Sequence, residues 1–280
     1  MSTSSNDIRR EIEAQIDALG PWFHNLHLPD GVQTAPGHRF GDFPRFKWDS
    51  VSHAVPDELS GWSVLDIGCN AGFYSLELAR RGANVLGIDV ETLYLRQAQW
   101  AAERCGLQDR LQFAKGQVYQ LMQERRQFDL IWFTGVFYHL RYPTLALDIV
   151  RRVTKRLMMF QTMTMPGDEV IDTPEDLPLD ERTEMLDPGW PKMAFVEHRV
   201  ADDETNWWAP NHACVEALLR SANFEIVDHP EHEFYLCKPV DGPTPTDLER
   251  LLGMNEMRSL PDMRMDAPPP ASGPPSQRFA

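Results

Sequence analysis

Apolar residues along this chain change period repeatedly, and each change marks the border of a strand or a helix. Val64 to Ile67 form a short apolar run, interrupted by Asp66, that stops at the turn Gly68, Asn70, Ala71 and Gly72. A buried strand ends in this way. From Phe73 the residues Phe73, Leu76, Leu78 and Ala79 recur at helical spacing until Gly82, and Val85 to Ile88 then run into Asp89 as a second strand. Strand, glycine turn, helix and strand make one parallel crossover, a unit that is right-handed almost without exception. The register continues with a helix over Leu93 to Cys105 closed by Gly106, a third strand over Leu111 to Ala114, and a central fourth strand over Phe128 to Phe133. Pro143 opens a helix through Thr154, and Leu157 to Thr162 give the fifth strand. Near the far end, Asn211 caps a helix over His212 to Ala222, followed by strands over Phe224 to Val227 and Phe234 to Cys237. This alternation predicts a doubly wound α/β fold.

Four stretches lie outside the alternation. Residues 6–18 place Ile8, Ile12 and Ile16 at helical spacing, with Leu19 just beyond, and predict an amphipathic packing helix. The segment after it, from Pro21 to Trp48, is crowded with rings and histidines and has no regular period. Exposing so much ring area is costly, so residues 1–60 are expected to supply a helix and an aromatic lid or pocket wall, with Trp22, His24, Lys47 and Trp48 as substrate-side candidates. Residues 163–210 are rich in Pro, Asp, Glu and Trp, and a patternless run this long inside a compact fold usually covers a functional site. Glu197, His198, Arg199, Trp207 and Trp208 are its substrate-binding candidates, while Lys192 and Arg199 also suit a substrate carboxylate or phosphate. The fold proper is expected over residues 61–240. Residues 241–280 are expected to form a flexible tail with a possible short helix over Thr246 to Leu252, since the stretch from Pro239 onward holds nine of the 22 prolines.

The crossover also carries chemistry. A tight turn of small residues lets a ligand approach main-chain N–H groups at the mouth of a helix, and an acid at the end of the second strand, Asp89, can accept from two ribose hydroxyls. The turn reads Asp66-x-Gly68-x-Asn70-x-Gly72, which is not the dinucleotide spacing G-x-G-x-x-G. It resembles instead the first two motifs of class I S-adenosylmethionine-dependent methyltransferases, with Asn70 in place of the middle glycine. Asn70 tolerates the left-handed backbone that such a turn needs.

The resemblance implies a Rossmann-like seven-stranded sheet closed by an antiparallel pair, with S-adenosyl-L-methionine as cofactor. It places Asp66 near the methionine portion, the loop Gly68, Cys69, Asn70 and Gly72 under the cofactor, and Asp89 with Val90 at the ribose. Gln117 then contacts the adenine amino group with Val118 giving its backbone, and Thr134 and Gly135 supply further contacts. Tyr138 and His139 follow the fourth strand, where ligands of doubly wound sheets gather. His139 is the candidate base, because an imidazole can take the proton released on methylation near neutral pH. Phe46-Lys47-Trp48, Asp66 to Asn70 and Gly135 to Pro143 together are similar to the bacterial tRNA wobble-uridine carboxymethyltransferase group and its uncharacterised relatives, over roughly residues 40–165. In that group the tyrosine matching Tyr138 helps to bind a carboxylated cofactor. The group's upstream lysine segment has no clear counterpart in Thr34 to Arg39.

Charge changes the picture of the acceptor. The formal net charge is −15, with 42 acidic against 27 basic residues, which counts against a nucleic-acid partner, although a local basic patch would override the global sign. Methyl transfer to a small-molecule or sugar-like acceptor is therefore expected first, carboxymethyl transfer to tRNA second, and a cofactor-binding protein without chemistry third. No apolar run approaches the ~18 residues of a membrane span, and the opening residues have no signal-peptide centre, so a cytoplasmic protein without a membrane partner is expected. Cys69, Cys105, Cys214 and Cys237 are scattered without metal-ligand spacing, and no metal is expected. No pattern in the chain sets an oligomeric state.

Overall fold

The structure, a computed structural model, describes residues 5–242; the expected tail and its short helix lie outside the described residues, apart from Asp241 and Gly242. Helix α1 (Ser5–Leu19) buries Ile12 and Ile16 against Leu28 and Val32, whereas Ile8 faces outward. A short helix α2 (Arg45–Val51), absent from the sequence reading, then leads to β1 (Ser63–Ile67), α3 (Phe73–Arg80), β2 (Asn84–Asp89), α4 (Thr92–Arg104) and β3 (Leu111–Lys115). After these come β4 (Phe128–Thr134), α5 (Pro143–Val153) and β5 (Thr154–Gln161). The fifth strand thus starts three residues earlier than the apolar run suggests, because Thr154, Lys155 and Arg156 extend it before its apolar part. Residues 163–210 hold a 3-10 turn (Leu179–Leu186) and the two-stranded hairpin β6 (Met193–Phe195) and β7 (Trp208–Pro210). Helix α6 (His212–Ser221) and the strands β8 (Phe224–Glu231) and β9 (Phe234–Pro239) complete the described chain.

The seven-stranded sheet runs β3-β2-β1-β4-β5-β9-β8, with β5·β9 and β8·β9 antiparallel and the other pairs parallel. Alternation along the central strands sorts side chains onto two faces. Val64, Leu130, Trp132 and Met159 share one core with α3 and α2, whereas Leu65, Ile67, Ile131, Phe133, Met158 and Phe160 meet α5 and α6 on the other. Asp66 is on the Val64 face, so its carboxylate looks at α3 and receives the Ser75 hydroxyl at 2.6 Å. β8 is an edge strand, which is why it tolerates Pro230 and two register shifts.

Aromatic packing fixes the segment between α1 and β1. Trp48 and Tyr74 lie against Trp132, with ring centroids 5.6 and 5.0 Å away. Arg45 reaches Glu77 of α3 at 2.8 Å, and the Gln97 amide of α4 donates to the carbonyls of Leu19 and Pro21 at 2.8 and 2.9 Å. Asn211 caps α6, its side chain accepting from the Cys214 N–H at 2.9 Å. No helix of the described residues is long and apolar enough to cross a membrane.

Candidate active site

The carboxyl ends of β1, β2 and β4 meet where connections diverge to opposite faces of the sheet, the position at which open α/β sheets bind ligands. The turn between β1 and α3 is left-handed at Gly68 (φ 73°), Asn70 (φ 49°) and Gly72 (φ 82°), so asparagine does stand where its tolerance of that region is needed. Gly68 is required twice over, since a Cβ there would come 2.3 Å from the Val136 side chain. The turn's N–H groups are not offered to a ligand, contrary to the expectation from its small residues. Gly68 and Cys69 donate to the Ile88 carbonyl at 2.8 and 3.0 Å, Asn70 to Asp89 at 2.9 Å, Ala71 to the Asn70 side chain at 2.7 Å and Gly72 to Cys69 at 2.9 Å. What the turn supplies is close backbone approach.

Two acids flank that turn. Asp89, buried at the end of β2, accepts the N–H of Asn70 on one oxygen and that of Glu91 on the other, each at 2.9 Å. A carboxylate has about four acceptor positions, so both oxygens retain capacity for hydroxyl donors. Burial raises the pKa of Asp89, against the pull of the backbone N–H groups of Glu91, Asn70 and Val90. Asp66 is more extreme: burial pushes its pKa up to about 7, opposed by the Ser75 hydrogen bond and reinforced by the nearby Asp89 charge. Val90 is exposed beside them. Tyr94, which no motif marks, lies beside the Asn70 side chain.

At the third corner, Gln117 accepts from the backbone of Gln120, whose own side chain accepts from the Gln117 N–H at 2.9 Å. This capping box occupies the Gln117 side chain, and Val118 is buried beneath it. Thr134 is buried at the end of β4, and the Gly135 N–H donates to Gln161 at 2.8 Å. Gln161 donates in turn to Glu233 at 2.8 Å. Glu233 lies in the tight β8–β9 turn, where no spacing or motif marks it, and its charge contributes to raising the Tyr138 pKa to about 12, after burial.

His139 is the centre of a directed network. The Thr205 hydroxyl donates to Asp203 at 2.6 Å, which uses its only proton, so the 2.9 Å contact between the Thr205 oxygen and His139 Nδ1 requires Nδ1 to be the donor. The hydrogen bonds therefore assign the Nδ1–H tautomer and leave the Nε2 lone pair as acceptor, with no hydrogen bond from Nε2 to a described residue. Burial lowers the His139 pKa below its usual value, only partly offset by the Asp203 charge and the Thr205 carbonyl. The imidazole is neutral at neutral pH.

The candidates from the two aperiodic segments are scattered. The Trp22 ring packs at a tilt against Trp100 and Trp48 is buried in the core, so both rings are engaged in packing. His24 is buried against Phe73 and Tyr74, its pKa pushed down to about 3 by burial, and its Nδ1 has no hydrogen-bond partner among the described residues. Lys47 sits over the rings of Phe43 and Phe234, its pKa lowered by burial and partly restored by Glu233. The Trp207 ring stacks on Phe195 under Arg141, and the Trp207 backbone N–H donates to the Tyr138 carbonyl at 2.8 Å. Trp208 is half-buried, its indole nitrogen without a partner among the described residues. Glu197 and His198 are exposed. Arg199, with Arg39, borders a cavity of about 570 Å³ that is also lined by Asp203 and Thr205, the residues that hold His139.

Sheet order, acidic strand ends and left-handed turn are those of a class I S-adenosylmethionine-dependent methyltransferase domain, and residues 64–156 match the family model described as a methyltransferase domain. The chain carries that fold. Among curated relatives it is 28% identical over 238 residues to the tRNA U34 carboxymethyltransferase of Idiomarina loihiensis, covering 81% of this chain and 64% of that one. To the protein of that name in Pseudomonas aeruginosa PAO1 it is 29% identical over 222 residues, 78% of this chain and 60% of that one. The chain thus spans less than two thirds of the length of these relatives. Among solved structures, the N-terminal domain of EvdMO1, crystallised with SAH and D-fucose, superimposes with a TM-score of 0.53 at 20% identity, over 82% of this chain and 94% of that one. A putative S-adenosylmethionine-dependent methyltransferase from Listeria monocytogenes gives 0.51 at 15% identity, over 70% and 98%. At these identities the likeness is one of fold.

Proposed function

We propose that this chain transfers the methyl group of S-adenosylmethionine to a small, sugar-like acceptor. The observation that carries the reading is the convergence at the carboxyl ends of β1, β2 and β4 of three groups: Asp89 with acceptor capacity left, buried Asp66 beneath the turn, and neutral His139 with an unspent Nε2. Asp89 would accept from the ribose hydroxyls and Asp66 would face the methionine portion. The backbone of Gly68, Cys69, Asn70, Gly72 and Gly135 forms the floor, with Thr134 beneath it and Val90 and Val118 at the adenine side. When bound, the cofactor supplies an activated methyl group. The chain's own part is to align the acceptor and exclude water. The acceptor's O–H or N–H proton would pass to His139 Nε2 as the methyl carbon leaves the sulfonium sulfur for the acceptor, the S–CH3 electron pair staying on sulfur to give S-adenosylhomocysteine. The Tyr138 hydroxyl, kept protonated by burial, would be available as a hydrogen-bond donor.

The net charge of −15 supports a small acceptor over a polyanion. The second reading, carboxymethyl transfer to a tRNA wobble uridine, is favoured by the names of the curated relatives. Incubation with S-adenosylmethionine or its carboxylated analogue, each with a panel of sugars and nucleotide sugars or with unmodified tRNA, separates the two by mass spectrometry. The expected product is a singly methylated small acceptor formed with the ordinary cofactor. Carboxymethylated tRNA formed only with the analogue would replace this reading by the second.

A further inference from the structure

Outside the cleft, three residues distant in sequence bring ligand atoms to one point. His212 is the first residue of α6, His232 lies in the β8–β9 turn, and Asp168 follows β5. His232 Nε2 is 3.0 Å from Asp168 Oδ1, His212 Nε2 is 3.3 Å from His232 Nε2, and His212 Nε2 is 3.8 Å from Asp168 Oδ1. A tetrahedral ion with bonds of about 2.0–2.1 Å separates its ligands by roughly 3.3–3.4 Å, which is the middle of these three distances. Two imidazoles and one carboxylate on one side of a point leave the remaining positions to water, the arrangement that suits zinc or ferrous iron.

The supporting residues are also arranged for a metal. His212 is buried, and its Nδ1 is hydrogen-bonded to the Tyr235 hydroxyl, which holds the ring and directs Nε2 to the shared point. The His229 ring stacks on Tyr235 at 4.5 Å and its Nε2 meets the His232 carbonyl at 3.1 Å, so the turn that carries His232 is itself fixed. Asp168 and His232 are exposed, which opens the point to solvent and gives an ion an entry path.

We propose that Asp168, His212 and His232 bind a divalent first-row transition metal, with zinc as the probe ion. The site would staple the chain after β5 to the β8–β9 turn, one residue from the Glu233 carboxylate that holds Gln161 and, through it, Gly135. It thus stiffens the edge of the cleft without lying in it.

The test uses the untagged full chain, stripped with a chelator, dialysed, and titrated with zinc in a non-coordinating buffer near neutral pH. One zinc per chain, micromolar or tighter, with a raised melting temperature, is the expected result. Cobalt in place of zinc should give the strong visible bands of low-coordinate cobalt. Asp168→Asn and His232→Gln change exposed residues, and metal-free melts check that both variants fold. Each should weaken zinc by at least about 10–100-fold, whereas His53→Gln, at an exposed histidine away from the site, should leave it unchanged. Failure to take up stoichiometric zinc, or binding by Asp168→Asn and His232→Gln equal to that of the parent, would overturn the proposal; the first leaves the three atoms sharing only a proton.

Discussion

An Asp66→Asn variant is expected to melt several degrees above the parent at about pH 8 while losing cofactor affinity by roughly 100-fold or more. The unfolded chain loses the Asp66 proton in the ordinary carboxylate range near 3.8, whereas the folded chain keeps it up to about 7. Between those values the folded state binds more protons, so stability falls as pH rises across that window and is flat above it. At about 1.4 kcal/mol per pKa unit, the buried charge costs the folded state up to ~4 kcal/mol above neutrality. Asparagine removes that cost and still accepts from Ser75. Cofactor binding moves the other way, because the ionised carboxylate is the form that attracts a cationic ligand. Thermal melts of the cofactor-free proteins across the pH range, with calorimetric titrations alongside, check both halves. A variant no more stable than the parent above neutrality would show that Asp66 is not held protonated by its surroundings.

The second large effect is at His139. Substitution by alanine is expected to lower kcat by about 10²–10⁴-fold with little change in cofactor affinity, the usual range for a lost general base. In the parent, the rate should rise with pH through a limb below 6.5 and stay flat across neutrality, because burial lowers the His139 pKa. Asp203→Asn removes a charge that raises that pKa, so its limb should move to lower pH. Thr205→Val deletes the hydroxyl that receives the Nδ1 proton; a loss of roughly 10-fold or more in kcat, with the folded structure kept, would mark the tautomer as the cause. A pH profile unchanged by Asp203→Asn would remove His139 from the role of base.

Much of this was legible before the structure. The crossover from Val64 to Asp89 announced itself because strand, turn and helix each leave a local signature, and local signatures survive in sequence. Asn211 was readable as a helix cap for the same reason. Trp22 and Trp48 were not readable: an aromatic ring that covers a cleft and one that fills a core look alike until their neighbours, Trp100 and Trp132, are known. Glu233 and Thr205 were invisible because their roles come from partners 72 and 66 residues away in the chain. The cluster of Asp168, His212 and His232 shows the same limit, since the chain assembles these residues from three separate elements and not from one short motif. Gln117 shows the reverse case, a residue singled out by position whose side chain is engaged in capping its own turn.

Titration calorimetry with S-adenosylmethionine and its demethylated product, on the parent and on Asp89→Ala, bears most directly on the central claim. Binding of one cofactor per chain, weakened at least about 100-fold by the loss of the carboxylate, is the predicted result, because both oxygens of Asp89 keep acceptor capacity for two ribose hydroxyls. Absence of binding by the parent, or equal binding by Asp89→Ala, would contradict it.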